Sequence, residues 1–101
     1  IDAYDDYDGD IELLEASSLA GKAASQEALG NFEEAAENYR NAYQVSDTNP
    51  SNSDYMLSAG INYMKAGEKE AARESLENLK NKYQNSSAAL EADKYIAQLQ
   101  I

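Results

Sequence analysis

Gly30 and Gly67, 37 residues apart, constrain this chain more than any other feature it has. They stand in matching settings, Leu29-Gly30-Asn31-Phe32-Glu33-Glu34-Ala35-Ala36 and Ala66-Gly67-Glu68-Lys69-Glu70-Ala71-Ala72. A glycine enters the left-handed region without Cβ strain and so can close a helix. Asn31, followed three residues later by Glu34, can form a capping box that opens the next helix. Two helix-turn-helix hairpins follow from these two stretches.

The rest of the composition agrees. Ala, Glu, Leu, Lys, Gln and Asn are plentiful, β-branched residues are scarce, and Pro50 is the single proline, so intrinsic propensity predicts an all-α chain of one 101-residue domain. Nineteen acidic against eight basic residues leave a net charge of -11, a field that repels phosphate backbones and anionic lipid surfaces; nucleic acid is not an expected partner. No run approaches the roughly 18 apolar residues that span a bilayer, so no direct membrane contact by this stretch is expected. Cysteine and histidine are both absent, which removes disulfides, thiolate chemistry, the usual general base and the commonest transition-metal ligand. No cofactor and no catalytic activity are expected. The chain opens on Ile1 rather than methionine and closes on Ile101 inside a helical pattern, which reads as a fragment or processed form.

In chain order, Ile1 and Tyr4 are spaced like the last turn of a helix whose body lies upstream, and Asp5-Asp6-Tyr7-Asp8-Gly9-Asp10 reads as an acidic linker with Asp10 capping a helix from Ile11. The same run resembles an EF-hand loop over residues 4–15, with Asp6, Asp8, Asp10 and Glu15 as weak calcium candidates, but Tyr4 stands where the loop's first carboxylate belongs. The first helix is expected to run to about Leu29 with Leu14, Leu19, Ala20 and Ala23 inward, interrupted by Lys22 and Gln26. The second, about Phe32 to Val45, has a cleaner apolar face of Phe32, Ala35, Ala36, Tyr39, Ala42 and Tyr43. A polar loop around Pro50 leads to a third helix capped by Asn52 or Ser53. It is the most apolar of the chain, with Tyr55, Met56, Leu57, Ala59, Ile61, Tyr63 and Met64. A fourth helix to about Tyr83 presents Ala72, Leu76, Leu79 and Tyr83. A last one, capped by Asn85, Ser86 or Ser87 and running to about Gln100, presents Leu90, Ala92, Tyr95, Ile96 and Leu99. Asn85-Ser86-Ser87 also matches an N-glycosylation acceptor, for which helix capping is the competing explanation.

The 37-residue spacing is close to the 34-residue tetratricopeptide period, with three residues added around Pro50. Leu19, Ala23, Gly30, Phe32, Ala35, Tyr39 and Ala42 in one repeat, and Met56, Gly60, Tyr63, Gly67, Ala72 and Leu76 in the next, give the chain a pattern that resembles that family from about Ala16 to Ser86. Lys22, Gln26 and Lys69 depart from it. The resemblance implies two antiparallel hairpins, residues 10–49 and 50–86, stacked as a right-handed α-solenoid of about five helices, with 1–9 as the end of an upstream element and 87–101 as a capping helix. The order of acidic linker, two repeats, Lys82-Tyr83-Gln84-Asn85-Ser86 and a final helix resembles the C-terminal part of bacterial YfgM-like tetratricopeptide proteins, which implies a periplasmic location with an upstream inner-membrane anchor.

Such arrays bind partners on the concave face made by the first helix of each repeat. That implies a non-catalytic scaffold for a peptide or partner protein, with Asp54, Leu57, Ile61, Met64 and Lys65 of the third helix and Ala20, Ala24, Glu27 and Ala28 of the first lining the groove. The competing reading makes Leu57, Ile61 and Met64 core residues shielded by the last helix. The functional alternatives are self-association through the solenoid ends, giving a homo-oligomer, and a calcium-modulated module using the acidic 4–15 loop. Glu33 with Glu37, and Glu70 with Glu74, are the carboxylate pairs an enzyme would have to use, and both lie on polar helix faces.

Overall fold

The helix-forming sequence between turn signals becomes five helices in a computed structural model, which describes the backbone of residues 2–100 and the side chains of residues 9–100. They are α1 (Asp2–Ala28), α2 (Phe32–Gln44), α3 (Asn52–Lys65), α4 (Lys69–Lys82) and α5 (Ser87–Leu99), and no strand occurs among the described residues. Gly30 and Gly67 both take the left-handed conformation, with φ of 84° and 83°. Each closes its helix with a pair of backbone bonds: Gly30 N to Glu27 O with Asn31 N to Gln26 O, and Gly67 N to Met64 O with Glu68 N to Tyr63 O. The two turns are therefore the same device, in which a left-handed residue returns two amides to orphan carbonyls of the last turn.

The helix starts are less regular than the sequence implies. Asn31 precedes α2 but makes no side-chain cap, and Glu34 instead accepts a hydrogen bond from Gln26 at 3.3 Å, so the expected capping box is not formed. Ser51, not Asn52 or Ser53, sits at the α3 cap position, also without a side-chain bond. Asn52 is fully buried, and its amide donates to Ser46 O across the loop. Only α5 has a side-chain cap among these starts: Ser86 Oγ accepts from Ala89 N at 3.1 Å.

Sequence neighbours are spatial neighbours, α1 with α2, α2 with α3, α3 with α4 and α4 with α5, and α5 also returns against α3. Small residues permit the close approaches. Ala23, Ala35, Ala36, Ala42, Ala59 and Ala72 are all fully buried, and Tyr39 and Tyr63 fill the space beside them. At the other end Leu76 and Leu79 are fully buried beneath Met56, Leu57, Ala92 and Ile96, each worth about 1.5–3 kcal/mol of transfer free energy. Met64, Tyr43 and Leu99 pack against both clusters, so the core is continuous. The whole measures 52 × 31 × 18 Å.

Three expectations fail in ways that matter for function. The acidic run is not a linker or a loop: α1 is helical from Asp2 straight through Gly9, so Tyr4 belongs to the same helix as Ala28 and Asp10 does not start one. Negative residues near a helix N-terminus are favourable, and one internal glycine costs only about 1 kcal/mol, too little to stop a helix braced elsewhere. The brace is visible where Gly9, Glu12 and Leu13 border a small cleft closed by Ser46, Thr48, Asn49 and Pro50. Leu14, expected inward, is 68% exposed, and Ala16 takes the buried position instead. Leu90, also expected inward, is 71% exposed, with Ala88 and Ala89 packing where it was placed. In both helices alanines occupy the side turned to the neighbouring helices and the leucines face outward.

Candidate binding surface

The residues expected to line a groove divide according to what α5 covers. α3 packs on α2, α4 and α5, which leaves only a narrow strip open. Asp54 and Lys65 are exposed on that strip, Ile61 and Met64 are half-covered, and Leu57 is only 9% exposed within the leucine cluster. Leu57 is thus a core residue, as the competing reading of the sequence has it. From α1, Ala24 and Ala28 are exposed, Glu27 is half-buried and Ala20 packs partly against the alanine-tyrosine cluster.

What the structure brings together is a polar junction of three helices centred on Glu27. Its Oε1 accepts from Asn62 Nδ2 at 3.3 Å and from Tyr39 Oη at 3.4 Å, and its Oε2 lies 3.9 Å from Lys65 Nζ. Lys65 also sits 5.3 Å from the centre of the Phe32 ring, which adds a cation–π contact at the turn end of the hairpin. Asn62 donates a second bond to Ser58 O at 2.8 Å. Burial, reinforced by the neighbouring Glu27 carboxylate, pushes the Tyr39 phenol above its ordinary value of 10.0. Glu27 and Lys65 were nominated from sequence; Asn62, Tyr39 and Phe32 were not. The available signal was Asn62, a carboxamide in the middle of the most apolar helix, where burial without a partner is costly.

The other side of the first hairpin is polar as well. Lys22 and Gln26, the departures from the repeat pattern, line an open depression with Asn38, Asn41 and Arg40, and Asn38 Nδ2 donates to Gln26 Oε1 at 2.6 Å. Arg40 lies beside the Tyr63 hydroxyl, which raises the pKa of the guanidinium, while burial raises that of Tyr63. Gln26 is therefore held in a hydrogen-bonded polar surface with Asn38 and Glu34, and Lys22 is exposed beside it.

The backbone of residues 4–15 is part of α1 and not an open loop. A calcium loop needs a sharp backbone turn at its glycine, whereas the backbone here is helical through Gly9. Asp10 and Glu15 are exposed on that helix, and the side chains of Asp6 and Asp8 lie outside those described. Among the described residues no group of three or more carboxylates is placed to hold a metal. Glu33, Glu37, Glu70 and Glu74 all stand in solvent. No helix among the described residues is long and apolar enough to cross a membrane. Compared with protein-family models, curated proteins and solved structures, the chain finds no match in any of the three.

Proposed function

We propose that the chain is a non-catalytic protein-interaction scaffold of the tetratricopeptide kind, in which α1–α2 and α3–α4 are successive repeats and α5 caps the second. The observation that carries this reading is the shared geometry of the two turns: φ at Gly30 and Gly67 differ by one degree, and each turn makes the same pair of backbone bonds. The order of packing, with α5 against both α4 and α3, supports it too. The partner is a peptide or protein received along α1 and α3, where Asp54, Ile61 and Lys65 and, across the Glu27 junction, Ala24 are within reach of solvent. By resemblance the full protein is bacterial and periplasmic, anchored upstream to the inner membrane. Solvent-exposed carboxylate pairs favour this reading over an enzyme, because nothing desolvates them.

The test compares partner capture by the native chain with that by an Ile61→Ser/Lys65→Glu double variant. Loss of a specific partner with an unchanged helical circular dichroism spectrum supports the groove. Equal capture by both proteins places recognition elsewhere. Leu57 is unsuitable for this test because its burial makes any substitution a stability change.

A further inference from the structure

The half of α1 that runs past α2 carries an unpartnered apolar face. α2 has 13 residues against the 27 of α1, so about half of the longer helix, roughly 20 Å at 1.5 Å per residue, runs past it; among the described residues no other helix lies beside that half, and Gly9, Glu12 and Leu13 share a small cleft with the Ser46–Pro50 loop. Large exposed apolar residues gather there: Ile11, Leu13 and Leu14 are three of the five in the described structure, within four consecutive positions. Leu13 borders the cleft it shares with the Pro50 loop. Ile11 and Leu14, one turn apart, lie on the side of the helix away from buried Ala16 and Ala23. Their stripe continues through Ser18, Gly21 and Ser25, all exposed, uncharged and small.

The charge around this face selects its occupant. Residues 2–15 hold seven of the chain's 19 acidic residues and none of its eight lysines and arginines. We infer that the outward face of α1 is a docking site for a basic amphipathic helix of another protein. Such a helix would seat its apolar side chains on Ile11 and Leu14, pass closely over Ser18, Gly21 and Ser25, and present Lys or Arg to Asp10 and Glu15, which are exposed on either side of that stripe. A second copy of this chain matches poorly. Two parallel α1 helices set like charge against like, and an antiparallel pair sets the acidic half against residues 16–28, where Lys22 and Glu27 cancel. An anionic membrane is repelled by the same charge. The site does not depend on the α3 strip, which shares none of these residues.

The test uses the 101-residue chain and a fluorescein-labelled 18-residue Leu/Lys peptide with all leucines on one helical face, read by anisotropy. The control is the same composition with the leucines scattered around the helix. The expected result is binding of the amphipathic peptide at least tenfold tighter than of the control, and weaker binding as salt is raised. Ile11→Gln/Leu14→Gln should lower the affinity at least tenfold; both residues are exposed, so circular dichroism should not change. Asp10→Asn/Glu15→Gln, which keeps the apolar residues, should weaken binding about threefold and flatten its salt dependence. Ile61→Ser/Lys65→Glu should leave it unchanged, so the two surfaces succeed or fail separately. Equal binding of both peptides, or binding indifferent to the Ile11/Leu14 and Asp10/Glu15 variants, overturns the inference. So does a dimer in light scattering that the Ile11/Leu14 variant abolishes, since the occupant is then a second copy.

Discussion

Gly60 of α3 lies so close to Leu76 of α4 that a Cβ built on the glycine would stand 2.5 Å from Leu76 Cδ2 and 2.6 Å from its Cγ. Leu76 is fully buried, so relieving the clash means shifting a packed core side chain. Alanine at position 60 gains about 1 kcal/mol in helix propensity, but the clash it creates belongs to the overpacking class of about 1–3 kcal/mol. Gly60→Ala is therefore expected to lower stability by about 1–2 kcal/mol in urea denaturation. Adding Leu76→Ala should show coupling: the double variant should be less destabilised than the two single losses summed.

Gly30→Ala and Gly67→Ala should each cost about 1–2 kcal/mol for a different reason. Nothing lies within 4 Å of a Cβ at either position, so the cost is that of placing an L-residue at φ near +84°. Asparagine, which tolerates that conformation better, should recover part of the loss, read as the melting temperature of the Asn variants against the Ala variants.

The strip on α3 should separate core from surface. Leu57→Ala is expected to cost about 2–5 kcal/mol, because it opens a cavity beside Leu76 and Leu79. Asp54→Ala and Lys65→Ala should stay within about 1 kcal/mol, since the Lys65 contacts to Glu27 and Phe32 are partly solvated. Thermal melts of the three variants decide this directly.

Tyr39 should make the protein sensitive to alkali. Burial and Glu27 raise its folded pKa above 10.0, so below pH 10 both folded and unfolded states hold the proton and its contribution is constant. As pH rises above 10, the unfolded chain releases the proton first, and stability falls until the folded phenol also ionises. Tyr63 is shifted the same way by burial, opposed in part by Arg40. Tyr39→Phe should show a shallower loss of stability between pH 9 and 11 than the native protein.

Calcium should leave the melting temperature unchanged, because residues 4–15 are helical and offer no loop to close around the ion. A rise in the melting temperature on adding millimolar calcium would contradict that helical assignment.

Sequence by itself determined the elements that rest on local chemistry. The turn at Gly30 and its counterpart at Gly67 follow from what a residue without Cβ can do, and the apolar faces of α2 and α4 follow from a period of 3.6 residues. It also nominated Glu27 and Lys65, as positions on the face that the repeat resemblance assigns to the first helix of each hairpin. Only the tertiary structure decided which apolar residues are core. Leu57 is buried and Ile61 half-open on the same helix, because α5 returns over one side of α3, and periodicity defines a face without saying what covers it. For the same reason Leu14 and Leu90 face outward while Ala16, Ala88 and Ala89 are buried: the side of a helix that meets a neighbour is set by how the helices pack together. The long α1 was likewise illegible. An acidic run containing glycine is an ordinary linker by local preference, and here it is a helix whose exposed residues Ile11 and Leu14 lie in the chain's most acidic stretch, which holds no lysine or arginine.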